Sequence, residues 1–286
     1  MARLRRGRSG LSGAGPYPDA VTLGFVPSDA CLLAVQAGVV LAPRIPPGAN
    51  GLKRVGGRAW AVVPLASVVL VVFAIRYVSD TATGLTYLAL VAVPLLAAAA
   101  LGWAARGARV WLAPLAAILF AVAWGAKGSL VGEAAAVLLS ALSCVTLGVL
   151  LAAVTPASWL KIGILLMAGA DTWLVVTDLL QAPNATLIAA APGGGLPQLQ
   201  SEVFGSVTMG YGDLFIAAVL GAVLAADPRR QRAAALLTFV VAALFDLLFF
   251  AVNELPATVP VALTLIILEL WEAYRRRRLR PAMATP

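Results

Sequence analysis

Four aspartates stand within or near the ends of long apolar runs: Asp171, Asp178, Asp213 and Asp246. An ionised carboxylate at the centre of a bilayer costs at least about 2.5–3.5 kcal/mol, so such residues face a protein interior or a watery cavity and are candidates for acid–base chemistry. Asp171 lies ten residues beyond Lys161, about 15 Å along a helix. Asp213 lies ten residues into the next apolar run, 203–226. Both are expected near mid-depth, on antiparallel neighbouring helices, where two carboxylates can meet. Asp178 is two turns beyond Asp171 and reads as a solvated residue at the helix mouth. Asp246, in ALFDLLFF, reads as a deep polar packing partner or a further member of the site.

What is missing narrows the chemistry. The chain has no histidine and only two cysteines, Cys31 and Cys144. Zinc sites built from histidine and cysteine cannot be assembled, and neither can a serine nucleophile with a histidine base. No metal and no cofactor is expected, and Cys144 in mid-span argues against a structural disulfide. Hydrolysis by this chain would fall to carboxylates.

The elements that must position them are membrane helices. Of the 286 residues, 61% are hydrophobic and 12% charged, with a mean hydropathy of +0.93. Soluble domains are about 45–50% apolar and about a quarter charged. Runs long enough to cross about 30 Å of hydrocarbon occur at 59–79, 84–105, 109–126, 132–154, 159–180, 203–226, 232–252 and 256–272. A weaker ninth candidate at 20–42 is interrupted by Pro27, Ser28 and Asp29. No signal peptide stands out in the first residues, where Arg3, Arg5, Arg6 and Arg8 are followed by glycine and serine. Residues 1–58 read as a basic, largely disordered extension with room for one short helix at 20–42. Residues 59–154 read as scaffold, with Glu133 as their only acid within a span. Residues 155–274 carry the chemistry, and 275–286 form a basic cytoplasmic tail.

The net charge of +8 is explained by the positive-inside rule rather than by nucleic acid. Arg44 to Arg58, Arg106 with Arg109, Arg229 to Arg232, and Arg275 to Arg278 all fall on one side of eight spans with both ends of the chain in the cytoplasm. A crossing by 20–42 would put the first four arginines outside. The alanine-, arginine- and glycine-rich composition points to a bacterial inner membrane.

Asp213 sits in SVTMGYGDLF, which can be read as the carbonyl-lined filter of a potassium channel or as an aspartate inside a membrane helix. A filter must be followed by a full inner helix. Only 13 apolar residues, Leu214 to Ala226, remain before Asp227, about 20 Å of helix. The span is long enough only if Val203 to Gly212 belong to it, which places the motif inside a helix. There Gly210 and Gly212 each cost roughly 1 kcal/mol relative to alanine, and they permit close backbone approach beside the acid.

The stretch SWLKIGILLMAGADTWLVVTDLLQAPN resembles the first catalytic helix of the signal peptide peptidase and presenilin family of intramembrane aspartyl proteases. MGYGDLF resembles that family's GxGD motif, and LPATVP stands where the family carries Pro-Ala-Leu. The spacings agree, with 42 residues from Asp171 to Asp213 and 43 more to Pro256. Two positions depart: Ala170 replaces a usual tyrosine, and Thr258 replaces the leucine. Prepilin peptidases share the GxGD aspartate but typically follow it with a lysine, where this chain has Leu214 and Phe215.

The resemblance implies an all-α, presenilin-like bundle of eight or nine transmembrane helices. It implies Asp171 and Asp213 as the catalytic pair, Gly210, Tyr211 and Gly212 as supports, and Pro256, Ala257 and Thr258 as the border of a substrate groove. Two acids a few Å apart hold one proton between them near neutral pH. The ionised partner takes a proton from water while the other protonates the peptide carbonyl. The implied substrates are transmembrane or signal-peptide helices, unwound locally and paired with backbone freed at Pro256. A pore subunit using TMGYGD and an inactive homologue that only binds helices are the competing readings.

Overall fold

The computed structural model describes residues 2–4, 19–52, 56–77, 80–177, 179, 186–187, 189–250 and 254–279. It is mostly helical. The long helices are α1 (Asp19–Leu41), α2 (Val63–Tyr77), α3 (Thr81–Ala99), α4 (Leu115–Gly125), α5 (Leu130–Val154), α6 (Ala157–Val176), α7 (Tyr211–Leu224), α8 (Pro228–Phe245) and α9 (Val259–Leu279). Among the described residues, five helical stretches are long and apolar enough to cross a membrane: Arg58–Ile75, Thr81–Ala104, Leu130–Val154, Ala157–Val176 and Pro228–Leu248. Pro27–Leu41, Val110–Gly125 and Tyr211–Leu224 are shorter apolar helices. Large apolar side chains such as Leu70, Phe73, Leu88, Leu95, Leu236 and Leu244 point outward, as helices facing lipid require.

Local chemistry starts the helices where they start. Ser129 Oγ accepts the Gly132 N–H at 3.2 Å to cap α5. Asp227 Oδ1 accepts the N–H groups of Arg229 and Arg230 at 3.0 and 3.2 Å, with Pro228 in the first turn of α8. Proline there surrenders an N–H that has no helical partner anyway.

Helix α7 is the centre of the bundle and packs against α1, α5, α6, α8 and α9. Leu214, Ala217, Ala218 and Leu220 along it are completely buried. Two glycines let backbones touch, the small-residue mode of membrane helix packing. A Cβ on Gly148 of α5 would lie 2.7 Å from the Ala218 carbonyl carbon. One on Gly221 would lie 2.2 Å from the Val40 carbonyl oxygen of α1.

The stretch at 20–42 is therefore a core element rather than a short helix in an appended extension. Leu32, Val40 and Gln36 of α1 are fully buried, and α1 packs along α7 and α8. Its last turn sits at the charged end of the bundle. There the buried Gln231 amide donates to the carbonyls of Val40, Pro43 and Gly221 at 2.9, 3.0 and 3.1 Å. Arg106 Nε donates to Gln231 Oε1 at 3.1 Å. Lys161 and Arg230 reach Glu269 at 2.8 and 2.5 Å, and Arg230 reaches Glu272 at 2.5 Å.

The opposite end adds something to the expected all-α bundle: a four-stranded antiparallel sheet in the order β2-β3-β1-β4. Its strands are β1 (Ala2–Leu4), β2 (Ser201–Phe204), β3 (Val207–Gly210) and β4 (Glu254–Leu255). Arg3 pairs with Thr208 on one side and with Glu254 on the other. Residues 2–4 thus lie at the opposite end of the bundle from the basic end of α9, whereas eight spans would put both on one side.

Candidate active site

Three stretches far apart in sequence lie at the end of the bundle where the helices join the sheet. Strand β3 runs directly into α7, whose third residue is Asp213. Strand β4 runs into Pro256, Ala257 and Thr258, all buried, which open α9. Asp171 approaches from α6, which packs against α7, α9 and β4.

Two hydrogen bonds place the carboxylates. Thr258 Oγ1 donates to Asp171 Oδ2 at 2.7 Å. Asp213 Oδ2 accepts the Gly210 N–H at 3.1 Å, closing the first turn of α7. Asp213 is 3% exposed and Asp171 half-buried, so the deeper acid lies on the central helix.

Residues 203–212 were expected to be helical and mid-span. Instead, 201–210 form a hairpin, and Asp213 lies in the first turn of its helix. Phe204 pairs with Val207 across Gly205 and Ser206, and Gly205 has φ of +59°. That left-handed conformation suits a two-residue hairpin turn. The turn is held from outside, since the Gly205 N–H donates to Glu133 Oε2 at 2.8 Å. A 14-residue α7 is long enough because its neighbours, not lipid, cover it. The length argument used against a filter therefore loses its premise.

The supporting residues have distinct roles. The Tyr211 hydroxyl pairs with Ser143 Oγ of α5 at 2.7 Å, and the Cys144 thiol contacts the Tyr211 carbonyl at 3.7 Å. Gly210 supplies the N–H on Asp213. Gly212 is exposed, and a Cβ there would meet nothing within 4 Å. No packing among the described residues demands a glycine at that position, and the space above it is open.

Several contributors were not foreseen. Gln36 Nε2 of α1 donates to the Ala257 carbonyl at 3.0 Å, fixing the segment that carries Thr258. Its signal was a lone amide within an apolar helix. Asp246, expected as a packing partner or a further member of the site, faces Asp29 of α1. Glu202 is 1% exposed on β2, and neither carboxylate oxygen has a hydrogen-bond partner among the described residues. Burial pushes its pKa up to about 8. Asp178 lies outside the described residues. Among the described residues no group of acids and thiols could hold a metal ion, and Cys31 and Cys144 are free thiols.

No protein-family model, curated protein or solved structure matches the chain.

Proposed function

We propose that this protein is an intramembrane aspartyl protease that cleaves transmembrane or signal-peptide helices with Asp171 and Asp213. The observation that carries the reading is the Thr258 hydroxyl on Asp171 Oδ2. It ties the first acidic motif to the Pro256-Ala257-Thr258 segment while the GYGD acid occupies the adjoining helix. This convergence needs three separated stretches, each of which resembles a motif of the signal peptide peptidase and presenilin family. Thr258, a departure from that family's leucine, here supplies a hydrogen-bond donor to the acid.

In the proposed reaction, one acid is ionised and activates water while the other donates a proton to the scissile carbonyl. The open space at Gly212 gives the substrate room next to Asp213. A pore built on Thr208 to Asp213 is disfavoured by the fold: Thr208 to Gly210 pair with β2 and Tyr211 to Asp213 open helix α7, which commits backbone groups a filter would aim at ions. The protein is placed in this reading as a multi-pass protein of a bacterial inner membrane with nine crossings. Its charged end faces the cytoplasm and its sheet the opposite side.

The test is cleavage of a labelled transmembrane peptide by purified protein in liposomes. Asp171→Asn and Asp213→Asn should each abolish cutting while the proteins stay inserted and folded, because an amide can neither take nor give the proton. Wild-type rates in both variants would refute the reading. A wild-type protein that binds the peptide without cutting it would favour the inactive helix-binding homologue.

A further inference from the structure

We propose that residues 2–4 are an internal blocking strand, which fills the strand position between the segments leading to Asp213 and Thr258 and must leave before another extended chain can enter. The effect on cleavage rests on the protease reading above; the occupancy itself does not.

β1 lies between β3 and β4, paired antiparallel with both. β3 and β4 are not paired to each other. Remove β1, and each presents an open edge to the same gap. These two edges are also the arms of the site. β3 ends at Gly210, three residues before Asp213, and β4 ends at Leu255, three residues before Thr258. A strand in the gap therefore runs between the segment that leads to Asp213 and the segment whose Thr258 bonds Asp171.

What holds β1 there is backbone pairing, with Leu4 opposite Val207, Arg3 opposite Thr208 and Glu254, and Ala2 opposite Leu255. Pairing of this kind tolerates many sequences, so any extended peptide with free N–H and C=O groups competes for the same edges. Fourteen residues, 5–18, tether β1 to α1. A short tether gives an effective concentration on the order of millimolar, so a free peptide competes poorly until β1 is displaced.

The test uses the full chain carrying Arg3→Pro and Leu4→Pro together. Proline removes the ladder donors and is excluded from a central strand. Arg3→Ala, which keeps every N–H, is the control. Hydrogen–deuterium exchange over residues 207–210 and at Leu255, and binding of a labelled peptide with the sequence of residues 2–7, are measured in liposomes. In the proline variant, exchange should rise roughly tenfold, as loss of one or two hydrogen bonds implies. The peptide should bind the variant but not the wild type, and cleavage of a transmembrane substrate should rise several-fold. Unchanged exchange with no peptide binding would overturn the proposal. So would increased exchange with slower cleavage, since the strand would then be assembling the site rather than blocking it. Increased exchange and peptide binding, with no cleavage by any variant, would uphold the strand and reject the protease.

Discussion

At the scale of single residues, the bond from Thr258 to Asp171 is the most exposed claim. Thr258→Val keeps the shape and removes the donor. Cleavage should fall several-fold, the worth of about 1 kcal/mol for one hydrogen bond, in kcat with little change in KM. Thr258→Ser should restore it. Gly212→Leu separates space from packing: with nothing near its Cβ position, the variant should fold normally yet lose substrate cleavage. Glu202 predicts a pH dependence. Its folded pKa, raised to about 8 by burial, exceeds the ordinary value of about 4.3. The folded state therefore binds the extra proton between these values, and stability falls as pH rises from about 4.3 toward 8, by up to about 1.4 kcal/mol per unit. Glu202→Gln should flatten that slope in thermal unfolding followed from pH 5 to 8.

At the scale of elements, α7 decides the architecture. It is short, nearly all buried, and approached on two sides by bare backbone. Gly221→Ala would place a methyl about where the Val40 carbonyl already stands. It should separate α1 from α7 and cost about 1–3 kcal/mol, as overpacking does, measured by denaturant or thermal unfolding in detergent. Because α1 also holds the Ala257 carbonyl through Gln36, the same variant should cut more slowly. The apolar run at 203–210 was open to either period, since short apolar segments are ambiguous between buried strand and helix. Its strand character depends on partners that arrive from residues 2–4 and on a turn anchored by Glu133. Neither is visible in the run itself.

At the scale of the whole molecule, the charged end and the sheet end give the bundle two chemically different faces. With α1 crossing, residues before it and the basic end of α9 should lie on opposite sides of the membrane. In a Cys31→Ser background, Ser9→Cys should react with an impermeant thiol reagent applied to intact spheroplasts. Arg277→Cys should react only after permeabilisation. Equal protection of both positions would leave α1 as a helix that does not cross.

Sequence alone determined the class of molecule, because hydropathy, the scarcity of charge and the clustering of arginine are local properties that a bilayer imposes residue by residue. It also singled out Asp171 and Asp213 among the acids in apolar runs, because a carboxylate there is costly wherever the rest of the chain lies, while the Pro256 to Thr258 segment was legible only through its resemblance to a family motif. The tertiary structure alone decided what those residues touch. The donor on Asp171, the amide on Ala257, the meeting of Asp29 with Asp246 and the strand at residues 2–4 join positions between 87 and 253 residues apart. Such contacts leave no periodic trace, since each depends on how several helices pack and on which backbone edges they leave open.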